Sequence, residues 1–209
     1  MTEAGAVSGT AAPVAPPPDT ATQAAQAGMR LATLVAMRLT HDLAGPIGAV
    51  ATAVELLDGG DPEITALIAD GAAAAVASLR LHRFILAPPG DATPARQLLT
   101  AWVATREKVT LDWRADLKDA GEAAILLGLA MTAVEAAQRG GTLTVDGGVS
   151  FAPVPALDPA IAAALAGGPV TIARGALAGM LHAAAAARGE MIGVTAGSDA
   201  LRLTVSRRA

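Results

Sequence analysis

The strongest chemical arrangement in this chain is a histidine followed directly by an acid, His41-Asp42, with Arg38 one helical turn earlier. A neutral imidazole is a nucleophile at pH 7 because histidine's ordinary pKa lies near 6.5, and a guanidinium one turn away can meet anionic oxygens. Two further histidines, His82 and His182, are the other candidates. His182 sits in an alanine-rich stretch with no neighbouring acid, which ranks it below His41. The chain has no cysteine, so thiol catalysis, thiolate metal sites and disulfides are excluded.

The sequence around His41 reads as an amphipathic helix. At about 100° per residue, Ala36, Leu39, Leu43, Pro46, Val50, Ala53 and Leu57 fall on one apolar stripe. His41 points away from it, towards a mixed face carrying Leu34, Met37, Arg38, Gly45 and Gly48. The two glycines let another surface approach closely, so these residues are expected to contact a partner. Pro46 inside the helix costs about 3 kcal/mol in isolation.

Thr40-His41-Asp42-Leu43, followed by Pro46 and Gly48, resembles the phosphoacceptor box of the dimerisation and histidine-phosphotransfer hairpin of sensor kinases. More closely it is similar to the ChpT-type histidine phosphotransferases, in which that hairpin precedes a degenerate kinase-like ATPase domain. The resemblance spans roughly residues 28 to 206, with the specific match confined to the box. It implies that His41 takes a phosphoryl group from a receiver aspartate, holds it as a phosphoramidate and passes it on. Asp42 either orients the imidazole or is a plain solvated carboxylate. It further implies, as partners, the receiver of a hybrid sensor kinase and downstream response regulators of the CtrA cell-cycle type. No cofactor of the chain's own is implied, and magnesium is expected from the partner receiver.

A kinase site needs magnesium ligands and a backbone cradle for phosphates. On the family's pattern the metal-binding Asn falls at Thr132, a poor substitute, and no Asp-x-Gly-x-Gly or Gly-Lys-Ser/Thr string is present. Asp146-Gly147-Gly148 reads as a tight strand exit, and Gly175 and Gly179 as aids to close helix packing. ATP-dependent kinase activity is therefore not expected. Two alternatives stay open: a catalytic sensor histidine kinase fragment with a diverged nucleotide site, and a non-enzymatic helical dimerisation scaffold.

The elements that must position His41 follow from periodicity and punctuation. Residues 1–24, rich in Ala, Pro, Gly, Ser and Thr, are expected to form a disordered leader. A helix then runs to about Asp58, Gly59-Gly60 ends it, and Asp61-Pro62-Glu63 caps the next, which reaches Leu86. Residues 25–88 thus form a hairpin. Its second helix is apolar on more than one face, which predicts a homodimeric four-helix bundle. Antiparallel pairing sets His41 level with Ser78 to Arg80, so that Arg80, His82 and Arg83 line the same half of the bundle; a solvated helix end is the competing reading.

Pro88-Pro89-Gly90 marks a boundary, and residues 91–209 read as a second, ATPase-like domain. Helices start at Thr93-Pro94, Asp119, Asp158-Pro159 and Gly175; strands are expected at Val109–Trp113, Thr142–Asp146, Val170–Ile172, Met191–Thr195 and Leu201–Ser206. The fold class is α+β, with one face of a mostly antiparallel sheet covered by helices. A net charge of −4 with scattered arginines argues against nucleic acid. The apolar runs Ala123–Val134 and Gly175–Ala187 fall short of a membrane span, and no Lys or Arg precedes Arg30, unlike a secretory signal. A cytoplasmic location is expected.

Overall fold

A computed structural model describes residues 19–57, 61–137 and 139–208. Helix α1 spans Thr20–Glu55 and α2 spans Pro62–Leu86, packed against each other as a hairpin. Asp19 caps α1 by accepting from the Thr22 amide, and Asp61 caps α2 by accepting from the Glu63 amide, with Pro62 in the first turn. Residues 20–24, assigned to the leader from composition, are helical; residues 1–18 and the Gly59-Gly60 stop lie outside the described residues. The α1 assignment continues through Pro46.

Gly71 sets how closely the hairpin packs. A Cβ there would stand 2.8 Å from Val50 Cγ2 and 3.3 Å from the Pro46 carbonyl oxygen, so the missing side chain lets α2 press onto α1 where the proline sits. Leu39, Leu43, Pro46 and Val50 are half-buried and Ala53 is fully buried, as the stripe predicts, whereas Ala36 and Leu57 are exposed.

The remaining elements are α3 (Ala95–Ala104), β1 (Val109–Trp113), α4 (Ala120–Ala136), β2 (Gly141–Val145), β3 (Gly148–Ala152), α5 (Pro159–Leu165), a 3-10 turn at Ala173–Gly175, α6 (Ala176–Ala187), β4 (Glu190–Ala196) and β5 (Leu201–Arg207). The sheet order is β1-β2-β3-β5-β4, with β1 and β2 parallel across the α4 crossover and the other pairs antiparallel. Leu143 opposite Phe151, and Val149 opposite Leu203, place one row of side chains under the helices. Thr144, Ser150 and Arg202 alternate onto the other, more exposed face. The expected α+β class with one covered face is the observed one.

Two expectations for this half need correction. Val170–Ile172 forms no strand, being followed at once by the 3-10 turn. Instead, the segment after Asp146-Gly147 folds straight back as β3, Gly147 (φ 100°) supplying the left-handed residue of the turn. Of the packing glycines, Gly179 does meet Val170 closely, and Gly128 meets Leu181, but a Cβ on Gly175 would find only ordinary contacts of 3.8–3.9 Å.

Helix α4 is buried without interruption from Ala123 to Val134. The C-terminal half of α2 belongs to the same core: Leu81, Phe84 and Ile85 cluster with Leu99, Trp102 and Ile125. The apolar core thus continues across Pro88-Pro89-Gly90. By length and composition alone α2 would pass as a spanning helix, with a mean hydropathy of 1.5 in an 18-residue window, a feature that the two shorter runs singled out in the sequence do not share. Its contacts with α1, α3 and α4 account for the buried face.

Candidate functional site

The hairpin register brings α1 and α2 together at a carboxylate. His41 lies on the outer side of α1, its side chain 87 % exposed, with Nδ1 3.4 Å from Asp42 Oδ1. The other oxygen, Asp42 Oδ2, accepts from Arg38 Nε at 2.8 Å and lies 3.4 Å from His82 Nε2. Arg38 reaches onward through Nη2 to Glu135 Oε2 at 2.6 Å, near the end of α4. One buried-to-exposed chain of charge therefore joins α4 to His41.

The tautomers follow from the acceptors. A carbonyl oxygen can only accept, so His82 Nδ1, 2.8 Å from the Ser78 carbonyl, carries a proton. A carboxylate can likewise only accept, which assigns a proton to His41 Nδ1 and leaves the Nε2 lone pair facing solvent. Burial alone would raise the Asp42 carboxyl, but the adjacent His82 ring, the Arg38 hydrogen bond and charge, and His41 outweigh it and hold the pKa at about 2. Asp42 is thus ionised across the physiological range. Glu135 is shifted the other way: burial raises it, the Arg38 charge lowers it, Asp42's negative charge raises it further, and the net direction is up.

A cleft of about 340 Å³ opens beside the imidazole, lined among others by Arg38, His41, Asp42, His82, Arg106 and Glu135. Arg106, two residues beyond α3, stacks its guanidinium 3.5 Å from the centroid of the Trp102 ring, and its Nη1 donates to the Trp102 carbonyl at 3.1 Å and to Thr105 Oγ1 at 2.7 Å. A second concavity on the other side of His41 and Arg38 is bounded by Asp158 and Arg174.

The residues singled out from the sequence divide into three groups. His41, Asp42, Arg38 and Gly45 meet at the cleft, although Arg38 is only 17 % exposed and its guanidinium is engaged by two carboxylates, so it does not belong to the open face assigned to it. Leu34 is half-buried, while Met37 stays exposed, and Gly45 and Gly48 have no heavy atom within 4 Å of a Cβ. Arg80 and Arg83 are the third group. Arg80 faces a separate groove between α2 and α3, Arg83 is exposed, and neither lines the His41 cleft. Two hundred degrees separate Arg80 from the buried His82 on an ideal helix, at about 100° per residue, so Arg80 does not join His82 at the cleft. His82 is no solvated helix end, being 4 % exposed. His182 is committed to the Leu165 carbonyl at 3.0 Å.

Glu135, Trp102 and Arg106 were not selected from the sequence. Arg38-x-x-x-Asp42 is the one local signal, an ion pair at helical spacing. Thr132 is buried and its hydroxyl donates back to the Gly128 carbonyl at 2.9 Å. Among the described residues no group of three His, Cys, Asp or Glu is arranged to hold a metal ion.

No protein-family model matches the chain. No curated protein matches it either. Among solved structures, it is similar to a bacterial phosphotransferase determined at 1.7 Å, with 23 % identity, a TM-score of 0.76, and coverage of 85 % of this chain and 96 % of that one. A histidine kinase of Acinetobacter baumannii, AdeS, aligns at 14 % identity and a TM-score of 0.42 over 79 % of this chain and 95 % of that one. The first likeness shows the fold, a helical hairpin followed by a helix-covered mixed sheet; the second is too distant to add to it.

Proposed function

We propose that the chain is a histidine phosphotransfer protein in which His41 relays a phosphoryl group between receiver-domain aspartates. The observation that carries this reading is the exposed His41 ring, hydrogen-bonded at Nδ1 to a carboxylate that Arg38 and His82 hold ionised. In the forward step the Nε2 lone pair attacks phosphorus, the N–P bond forms as the P–O bond to the aspartate breaks, and the receiver carboxylate leaves with the bonding pair. The phosphorylated ring keeps its Nδ1 proton and its positive charge is balanced by Asp42. Transfer onward reverses the sequence, so one site serves both receivers. Magnesium, and the second nucleophile, come from the partner receiver.

On the same reading the partners are the receiver of a hybrid sensor kinase and cell-cycle response regulators of the CtrA type, as in ChpT-type proteins, and the setting is cytoplasmic. The chain acts as a homodimer: Leu67, Val76 and Leu79 of α2 and Ile47 and Val54 of α1 are exposed apolar side chains that a second hairpin would cover. Against the kinase-fragment alternative stands Thr132, whose hydroxyl is already bonded inside the core where the family's metal ligand belongs.

Incubation with a phosphorylated receiver tests the proposal. Acid-labile phosphate on His41, chased by an unphosphorylated receiver, is the expected result. Absence of label with every receiver of a panel would leave the dimerisation scaffold as the better account, and label acquired from ATP alone would favour the kinase.

A further inference from the structure

The hairpin supplies the nucleophile, but the cleft beside it also holds a cation from beyond the hairpin that forms no salt bridge. Arg106 is half-buried, yet among the described residues no carboxylate lies within 4 Å of its guanidinium, whereas Arg38 beside it is bound by two. Burial pushes the Arg106 pKa down, and the charges of Glu135 and Asp42, acting from beyond salt-bridge distance, offset only part of that. Its orientation is nonetheless fixed from two sides, by the Trp102 ring beneath it and by the Trp102 carbonyl and Thr105 hydroxyl at Nη1. Nε and Nη2 make no bond to any described residue, and Arg106 lines the same cleft as His41. A rigid, preorganised pair of N–H donors without an anion, next to a nucleophile, is an incomplete anion site.

We infer that Arg106 completes the phosphoryl-binding site, its free N–H edge meeting the non-bridging oxygens of the group carried on His41 Nε2. This rests on the relay reading of His41. It makes the second domain a participant in the transfer and gives Arg38 and Arg106 different tasks. Arg38 anchors Asp42 and is saturated. Arg106 is left for the incoming charge, which grows on the equatorial oxygens in the transition state.

The test uses the full chain and phosphoramidate, a small donor that needs no receiver: His41 Nε2 attacks its phosphorus, the donor's P–N bond breaks, and ammonia leaves with the proton already on the donor nitrogen. Wild type is expected to acquire acid-labile label and His41→Ala none. Arg106→Gln should label roughly tenfold more slowly at saturating donor, a loss in kcat, and Arg106→Lys should recover part of that loss by keeping the charge. Arg106→Met, which keeps the length over Trp102, guards against misfolding: it should melt with wild type yet label as slowly as Arg106→Gln. Wild-type rates in Arg106→Gln or Arg106→Met would overturn the inference, even if transfer from receivers were slowed, because the guanidinium would then serve docking. A rate loss that tracks lowered melting, with Arg106→Met normal, would overturn it in favour of packing. Failure of wild type itself to label would remove the relay reading, a result independent of any Arg106 variant.

Discussion

Two histidines flank one carboxylate, 3.4 Å from its two oxygens, and their surroundings give them opposite tasks. The His41 side chain is 87 % exposed and that of His82 is 6 % exposed. His82 has one nitrogen committed to the Ser78 carbonyl and the other buried against Asp42, so neither can reach a partner protein. His41 has one nitrogen towards Asp42 and the other in solvent. The chemistry therefore depends less on residue type than on which ring nitrogen the fold leaves open. The same contrast separates the two arginines, Arg38 in salt bridges with two carboxylates and Arg106 in none.

The largest effect expected is on the exposed side. His41→Ala should lose acid-labile labelling by at least 100-fold while its melting temperature stays close to wild type, since a side chain so exposed contributes little packing. Label appearing on His82 in that variant, located by mass spectrometry, would break the comparison. Next comes the shared carboxylate. Asp42→Asn removes a charge from between three positive or proton-bearing partners and should slow labelling. It should also flatten the acid limb of stability. The folded pKa of about 2 lies below the unfolded 3.8, so the ionised Asp42 stabilises the fold at pH values above about 4 and that contribution fades as pH falls towards 2. A shift of this size corresponds to about 2 kcal/mol. Other carboxylates titrate in the same window, so the measurement is the difference between wild-type and Asp42→Asn unfolding free energies at pH 7 and pH 2.5; an equal difference at both would contradict it.

The buried side was the harder one to read from sequence, for physical reasons. Hairpin limits were legible because caps and punctuation are local: Asp61-Pro62 started α2 and periodicity carried it to Leu86. His41-Asp42 was legible as a short motif. The double engagement of Arg38 is not legible because a helical wheel shows direction, not what waits there, and Glu135 arrives from a helix nearly a hundred residues later. Arg106 lies in no motif; only the packing of α3 on α2 and α4 brings it to His41. His82 was ambiguous because α2 is apolar on several sides. Gly148–Ala152 gives no strand signal because it sits between a glycine turn and a proline, and Val170–Ile172 gives a false one because three apolar residues look alike in either state.

Glycines on α1 and α2 extend the comparison to backbone contacts. Gly71→Ala places a Cβ 2.8 Å from Val50 Cγ2 and 3.3 Å from a backbone oxygen, so despite alanine's better helix propensity it should destabilise, by about 1–3 kcal/mol. Urea denaturation would show this as a lower midpoint with an unchanged slope. A gain in stability would mean the hairpin is looser there than its geometry indicates.

Gly48, on the same outer face as His41, should respond in the opposite sense and by the smallest amount. No heavy atom lies within 4 Å of a Cβ at this position, so nothing need move to accept one, and the helix gains up to about 1 kcal/mol from replacing glycine by alanine. If the glycine relieved strain next to Pro46, stability would fall instead. Gly48→Leu then separates the chain's own chemistry from its partner's access. A leucine in open space cannot disturb Asp42, His82 or Arg106, which leaves labelling by phosphoramidate at the wild-type rate. On the relay reading it occupies the surface over which a receiver brings its aspartate in line with Nε2, so transfer from a phosphorylated receiver should slow several-fold in a fully folded variant. Equal slowing with both donors would place the obstruction in the cleft itself, and no slowing with either would move the receiver's footprint to the far concavity near Asp158 and Arg174.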